Sequence, residues 1–273
     1  METLKYVGQR IPEIYAWAKV TGEAPFTDDL RLPGMLYGKI LRSPYPHARI
    51  RSINTSRALA LPGVVAVMTG KDTPGIKYVA QISDMYPLAV ERVRYVGDPV
   101  VAVAAESEEI AREALDLIEV DYEPLPAVFD PRQALQEGAP RIREDRPNNL
   151  VLHMNRDFGN VDEGFAQSDR IFEDEFTTQA VPHCNMEPRS SAAWMKPDSV
   201  LQIWSGTQSP YFVRKEVAHV CDLPISSVQV MEVHCGGAGL APAPSTVRMR
   251  ESQLSWRFVQ AAPYASPSPV KKR

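Results

Sequence analysis

Pro99-Val100-Val101-Ala102-Val103-Ala104-Ala105, followed by Ser107-Glu108-Glu109 and later by Ile118-Glu119-Val120-Asp121-Tyr122, decides the fold class of this chain. The first run is apolar throughout, the composition of a strand buried on both faces. Ser107 then sets a capping hydroxyl ahead of two acids at the positive end of a helix dipole. Ile110, Ala111, Ala114, Leu115 and Ile118 recur at helical spacing and form a core stripe rather than a site. From Ile118 the pattern returns to alternation, and Pro124, Pro126 and Pro131 stop it.

Upstream lie three more strand candidates: residues 35–41, residues 48–53 with period two, and residues 63–68. Ser43-Pro44-Tyr45-Pro46 and Leu61-Pro62 punctuate them, because proline lacks the donor that a central ladder needs. Short strands mixed with one helix in this order predict a compact α+β domain over residues 20–130, preceded by a lead-in over 1–19. Gly97 is expected as a turn or close-packing glycine, and Asp98 as a surface or turn residue.

Residues 131–150 combine proline, glycine and charge without apolar period and are expected as a linker. A second domain is expected over 151–239. Residues 170–176 alternate like a strand, and residues 192–194 and 200–204 read as sequential strands joined by a turn at Lys196-Pro197-Asp198. Ser209 as cap and Pro210 at the first helical position open a helix carrying Phe212, Val213 and Val217. Residues 228–233 alternate again and lead into Cys235-Gly236-Gly237.

With 273 residues and 44% hydrophobic content, the chain has room for one or two packed domains of about 150 residues. A net charge of −4, with no basic stripe in the first 230 residues, argues against nucleic acid as a partner. Cys184, Cys221 and Cys235 are too few and too widely spaced for a disulfide framework or for paired metal ligands, and they are expected as buried or incidental thiols. Met1 opens onto polar residues, and no run approaches the ~20 apolar residues of a membrane span, so the expected location is cytoplasmic.

Residues 240–273 differ from the rest. They carry six basic residues and one acid, Glu251, in a chain that is otherwise acidic, and no strand or helix period survives there. The simultaneous loss of period, charge balance and motif after Gly237 is read as truncation or a lost coding frame. An aberrant, disordered tail is the corresponding expectation.

The chemical candidates are Trp204-Ser205-Gly206-Thr207-Gln208 and Gly236-Gly237. A glutamine amide offers a donor and an acceptor without a titratable charge, and adjacent glycines permit close backbone approach. Gln208 is expected between a strand end and a helix start, with the glycines after the next strand. Loops at such ends commonly carry ligand chemistry.

Taken in order, several segments resemble the molybdenum-binding large subunit of the xanthine dehydrogenase and aldehyde oxidase family, the molybdenum hydroxylases. They are Lys19-Val20-Thr21-Gly22-Glu23-Ala24, Leu32-Pro33-Gly34-Met35-Leu36, Leu41-Arg42-Ser43-Pro44, Tyr95-Val96-Gly97-Asp98-Pro99, Val120-Asp121-Tyr122-Glu123-Pro124, His183 with Met186-Glu187-Pro188-Arg189, Gly206-Thr207-Gln208 and Gly236-Gly237. The resemblance spans about residues 20–237. It implies an α/β hammerhead domain followed by an incomplete molybdopterin-binding domain of mixed strands and helices. The implied activity is hydroxylation of an electron-poor carbon with water-derived oxygen at a molybdopterin centre.

The same resemblance implies that Gln208 acts in the outer shell of the metal, with no direct metal ligand, and that Gly236 and Gly237 line the cofactor. It further implies a molybdenum-molybdopterin cofactor in its cytosine dinucleotide form, an iron–sulfur small subunit and an FAD-binding medium subunit as partners, and a small-molecule substrate. The chain departs from the family pattern at Ala238-Gly239-Leu240-Ala241-Pro242, where an aromatic residue, a further glycine and a lysine are expected. The family's catalytic glutamate lies further downstream, so no catalytic residue is assigned and the chain alone is expected not to retain the cofactor stably. The alternative is a non-catalytic fragment serving as a subunit-docking module. Glu187 is expected as a structural carboxylate and His183 as a structural histidine.

Overall fold

The computed structural model describes residues 5–78, 83–179, 186–187 and 190–236. His183, Cys184, Gly237 and the stretch 240–273 therefore lie outside the described residues. In chain order the regular elements are α1 (Ala16–Thr21), β1 (Tyr37–Arg42), β2 (Ala48–Asn54), α2 (Ser56–Ala60), β3 (Val64–Thr69), β4 (Arg92–Val93), β5 (Pro99–Ala105), α3 (Glu108–Asp116) and β6 (Glu119–Pro124). After these come α4 (Pro131–Ala134), α5 (Val161–Ala166), β7 (Ser191–Met195), β8 (Leu201–Ser205), α6 (Pro210–Val220) and β9 (Val228–Met231).

β5 is the centre of the first sheet, ordered β1-β5-β3 and antiparallel throughout. All seven of its residues are buried. An apolar run suits that position, because a central strand covered on both faces has no solvent side to mark with polar residues. The second sheet, β4-β2-β6, is also antiparallel. β2 is half exposed, which is why its sequence alternates. α3 begins as expected, with the Ser107 hydroxyl accepting from the Ile110 amide at 3.3 Å. It buries Ala111 and lays Ala114 into the core with Val100, Val101 and Val103.

The connection into β5 is tighter than its sequence indicates. Gly97 has φ +92°, donates to the Ser43 carbonyl at 2.8 Å and has open space where a Cβ would stand, so it is a turn glycine. Asp98 is buried, not on the surface, and its carboxylate accepts from the Arg94 amide at 2.9 Å. Four residues apart in sequence, the two close a loop that a linear pattern does not display.

The third sheet, β7-β8-β9, pairs β7 with β8 antiparallel and β8 with β9 parallel. Parallel strands require a crossover, and α6 supplies it. Val213 and Val217 of α6 pack on Leu201, Ile203 and Val228. Pro210 takes the first helical position as expected, but the Ser209 side chain makes no capping hydrogen bond. The Thr207 hydroxyl instead accepts from the Ser209 amide at 3.1 Å, so the turn is closed one step earlier.

The contacts divide the chain into two compact units, one combining Met1–Leu125 with Asn185–Arg273, the other Pro126–Cys184. Within the first unit, Tyr78 and Met85 are buried together with Val220, and His219 Nε2 lies 3.2 Å from the Lys77 carbonyl. In the second unit, residues 131–150 fold around Asn149, at φ +57°. Its amide donates to the Ala134 and Pro140 carbonyls at 2.9 and 3.0 Å and accepts from the Ile142 amide at 3.0 Å. Residues 170–176, expected as a strand, form none, and Phe172 and Phe176 are exposed. Alternation alone does not make a strand without a ladder partner to take its backbone groups.

Candidate functional site

The register of the third sheet brings the candidate residues together. Ile203 lies opposite Val230 and Trp204 opposite Met231 in the parallel pair, so β8 and β9 end on the same edge. β7 runs the other way, with Ser191 opposite Ser205, and therefore begins on that edge. Glu187 before β7, Gly206-Thr207-Gln208 after β8 and Gly236 after β9 converge there. Carboxyl ends of adjacent parallel strands are where open α/β sheets commonly place ligands.

Glu187 occupies the middle of this convergence. The Gly236 amide donates to Glu187 Oε2 at 2.5 Å, and the Glu187 amide donates to the Gly236 carbonyl at 3.2 Å. A Cβ built on Gly206 would stand 3.3 and 3.5 Å from the two carboxylate oxygens. One built on Gly236 would stand 3.1 Å from Glu187 Cβ and 3.2 Å from Phe26 Cε1. The bare backbone at both glycines thus receives the Glu187 side chain, and at Gly236 a phenyl ring as well. The acceptor role of Glu187 agrees with a structural carboxylate, and its described partner is a backbone amide.

Gln208 is exposed at the junction of β8 and α6, a position held on one side by the sheet and on the other by the helix. Beneath the edge, Ser191 and Ser205 are buried with their hydroxyl oxygens 3.4 Å apart. The hydroxyls of Thr27 and Ser190 are also buried and have no hydrogen-bond partner among the described residues. Two residues before Gly236, the His234 ring meets Tyr15 edge-on at 5.2 Å and Phe26 at 5.9 Å, and the His234 amide donates to the Pro25 carbonyl at 3.4 Å. Tyr15, Phe26 and His234 carry no sequence signal for this role, because the contact joins segments about two hundred residues apart. Among the described residues, no group of three or more His, Cys, Asp or Glu side chains could hold a metal ion.

Cys221 closes α6 and packs on the β7-β8-β9 core, and burial pushes its thiol up from 9.0 to about 11. The folded protein then keeps this proton where the unfolded chain releases it. Stability from this group is intact below pH 9 and declines between pH 9 and 11, by on the order of 2 kcal/mol. Urea unfolding at pH 8 and pH 10.5 checks this. Cys221→Ala should remove part of the alkaline decline, and an unchanged decline would exclude Cys221 as a source.

Comparison with known proteins gives a consistent picture. Residues 21–126 match the aldehyde oxidase and xanthine dehydrogenase a/b hammerhead domain, and residues 142–238 match the molybdopterin cofactor-binding domain. The chain is 42% identical to a probable xanthine dehydrogenase subunit of Bacillus subtilis (strain 168), over 81% of this chain and 29% of that protein. It is 35% identical to the nicotinate dehydrogenase large molybdopterin subunit of Eubacterium barkeri, over 85% of this chain and 54% of that one. The crystal structure of quinoline 2-oxidoreductase from Pseudomonas putida 86 superposes with a TM-score of 0.78 at 32% identity, covering 91% of this chain and 33% of that one. The chain thus spans between about a third and about half of the length of these relatives. Among the described residues no helix is long and apolar enough to cross a membrane.

Proposed function

The chain belongs to the aldehyde oxidase and xanthine dehydrogenase family, the molybdenum hydroxylases, and from that premise we propose that it forms the N-terminal part of a large subunit, contributing one wall of a molybdopterin site. The observation that carries this reading is the convergence of Gly206-Thr207-Gln208 and Gly236 on one edge of the parallel β8–β9 pair.

The residues present fit such a wall. An outer-shell contact calls for an uncharged donor and acceptor on a rigid element, and Gln208, exposed at the end of β8, meets that requirement. When bound, the molybdopterin centre supplies the redox chemistry that hydroxylates an electron-poor carbon with oxygen from water. Gln208 orients an oxygen of the cofactor by hydrogen bonding and exchanges no proton in doing so. By the family resemblance Gly236 and Gly237 line the cofactor; the Gly236 amide and carbonyl are already engaged by Glu187, so Gly236 contributes a loop without a side chain rather than a hydrogen bond. The Glu187 carboxylate, already accepting from Gly236, holds the loop and does not act as a general base. The cofactor is taken in its cytosine dinucleotide form, and the assembly is a cytoplasmic complex with an iron–sulfur small subunit and an FAD-binding medium subunit.

Co-expression with a polypeptide supplying the remaining length of the relatives tests the reading. The purified complex should contain molybdenum, and the 273-residue chain alone should retain none stably. Partner subunits that co-purify without molybdenum would replace this reading with that of a docking module. Molybdenum held stably by residues 1–273 alone would overturn the reading that this stretch forms only one wall of the site.

A further inference from the structure

We propose that Glu187 is a positioning residue that locks the turn after β9 onto the turn after β8 and so sets where the cofactor-facing loop leaves the sheet. The second half of that statement rests on the family reading above. Both polar groups of the Gly236 backbone are taken by this one residue: its amide by Glu187 Oε2 and its carbonyl by the Glu187 amide. The carboxylate also fills the space beside Gly206, within 3.3 Å of where a Cβ would stand. One side chain therefore touches the loops following two adjacent parallel strands, and it enters from the segment preceding the third.

Phe26 lines the same space beside Gly236 as Glu187, and the His234 ring contacts both Phe26 and Tyr15. Gly236, one residue ahead of Gly237, thus has the space where its Cβ would stand taken by a phenyl ring and the Glu187 side chain. A hydrogen bond from a backbone amide to an ionised carboxylate is shorter and stronger than one between neutral groups. It specifies one path for the chain at a point where glycine would otherwise permit several. A carboxylate is the group suited to this place, since an amide or hydroxyl would accept more weakly and an alkyl chain would leave the Gly236 amide unsatisfied.

Amide hydrogen exchange at Gly236, measured on the 273-residue chain, tests the lock. Glu187→Ala should speed exchange there by roughly tenfold or more, and Glu187→Gln, which keeps an acceptor oxygen, should restore it to within about threefold of the parent. Amides of β5 and β8 should keep their parent rates in both variants, which separates a released turn from general unfolding. Parent-like exchange at Gly236 in Glu187→Ala, or a Glu187→Gln variant as fast as Glu187→Ala, would overturn the lock. In the co-expressed complex, the parent and Glu187→Gln should hold molybdenum and Glu187→Ala should hold less. Full loading of Glu187→Ala would overturn the positioning role, whereas a parent complex without molybdenum would overturn the family reading and leave the exchange result to decide the lock.

Discussion

Gly70→Ala destabilises the N-terminal sheets by roughly 2–4 kcal/mol. Gly70 is buried in the turn that follows β3, and a Cβ there would stand 2.5 Å from the Ala89 carbonyl oxygen, 2.8 Å from its carbon and 2.9 Å from the Leu88 carbonyl oxygen. These are backbone atoms and cannot rotate out of the way. The segment they belong to is pinned, since the Ala89 amide donates to the Pro99 carbonyl at 2.7 Å and Leu88 is fully buried. The turn itself is also held, because the Asp72 carboxylate accepts from the Thr69 amide at 2.8 Å and from the Thr69 hydroxyl at 2.7 Å. Relief of the overlap therefore has to displace β3 or the start of β5. Urea unfolding, with exchange of the β5 amides as the local readout, should show the midpoint falling and β5 losing protection. A parent-like midpoint would mean that the two segments slide apart freely, against the hydrogen bonds described above.

The second large effect falls on the sheet that carries the site. Ile203 is fully buried at the centre of β8, paired with Ala193 on one side and Val230 on the other, within a core that includes Leu201, Val213, Val217 and Val228. Truncation to alanine removes three carbons from a place where α6 covers the sheet, at a cost of roughly 2–5 kcal/mol, and Ile203→Val costs about 0.5–1.5 kcal/mol. Since β8 delivers Gly206, Thr207 and Gln208, the loss also loosens the edge to which Glu187 binds. Exchange of the β7, β8 and β9 amides should accelerate in the order parent, valine, alanine, with emission of Trp204 shifting in parallel. Equal protection in all three would show that the small core under α6 contributes little to the ordering of this sheet.

The legible parts of the fold were those whose pattern is local. β5 announces itself because seven consecutive apolar residues suit a strand covered on both sides, and α3 because a capping hydroxyl, two acids and a helical stripe coincide within a dozen residues. Pro210 locates the start of α6 for the same reason, although Thr207 rather than Ser209 closes the preceding turn. α1, α2, β4, α4 and α5 are six residues or shorter, too brief for a period to register. Residues 170–176 show the opposite failure, in which a local pattern is present but none of the described residues pairs with it.

The site divides along the same line. Sequence alone determined that a glutamine follows one strand and a glycine pair follows another, since each rests on neighbouring residues and on the order of family motifs. Only the tertiary structure decided that these strands are parallel, that their ends share an edge, and that Glu187 and Phe26 fill the space left by the glycines. The physical reason is that pairing direction and through-space contact are set by burial and hydrogen bonding between segments far apart in the chain, about which a local pattern carries no information.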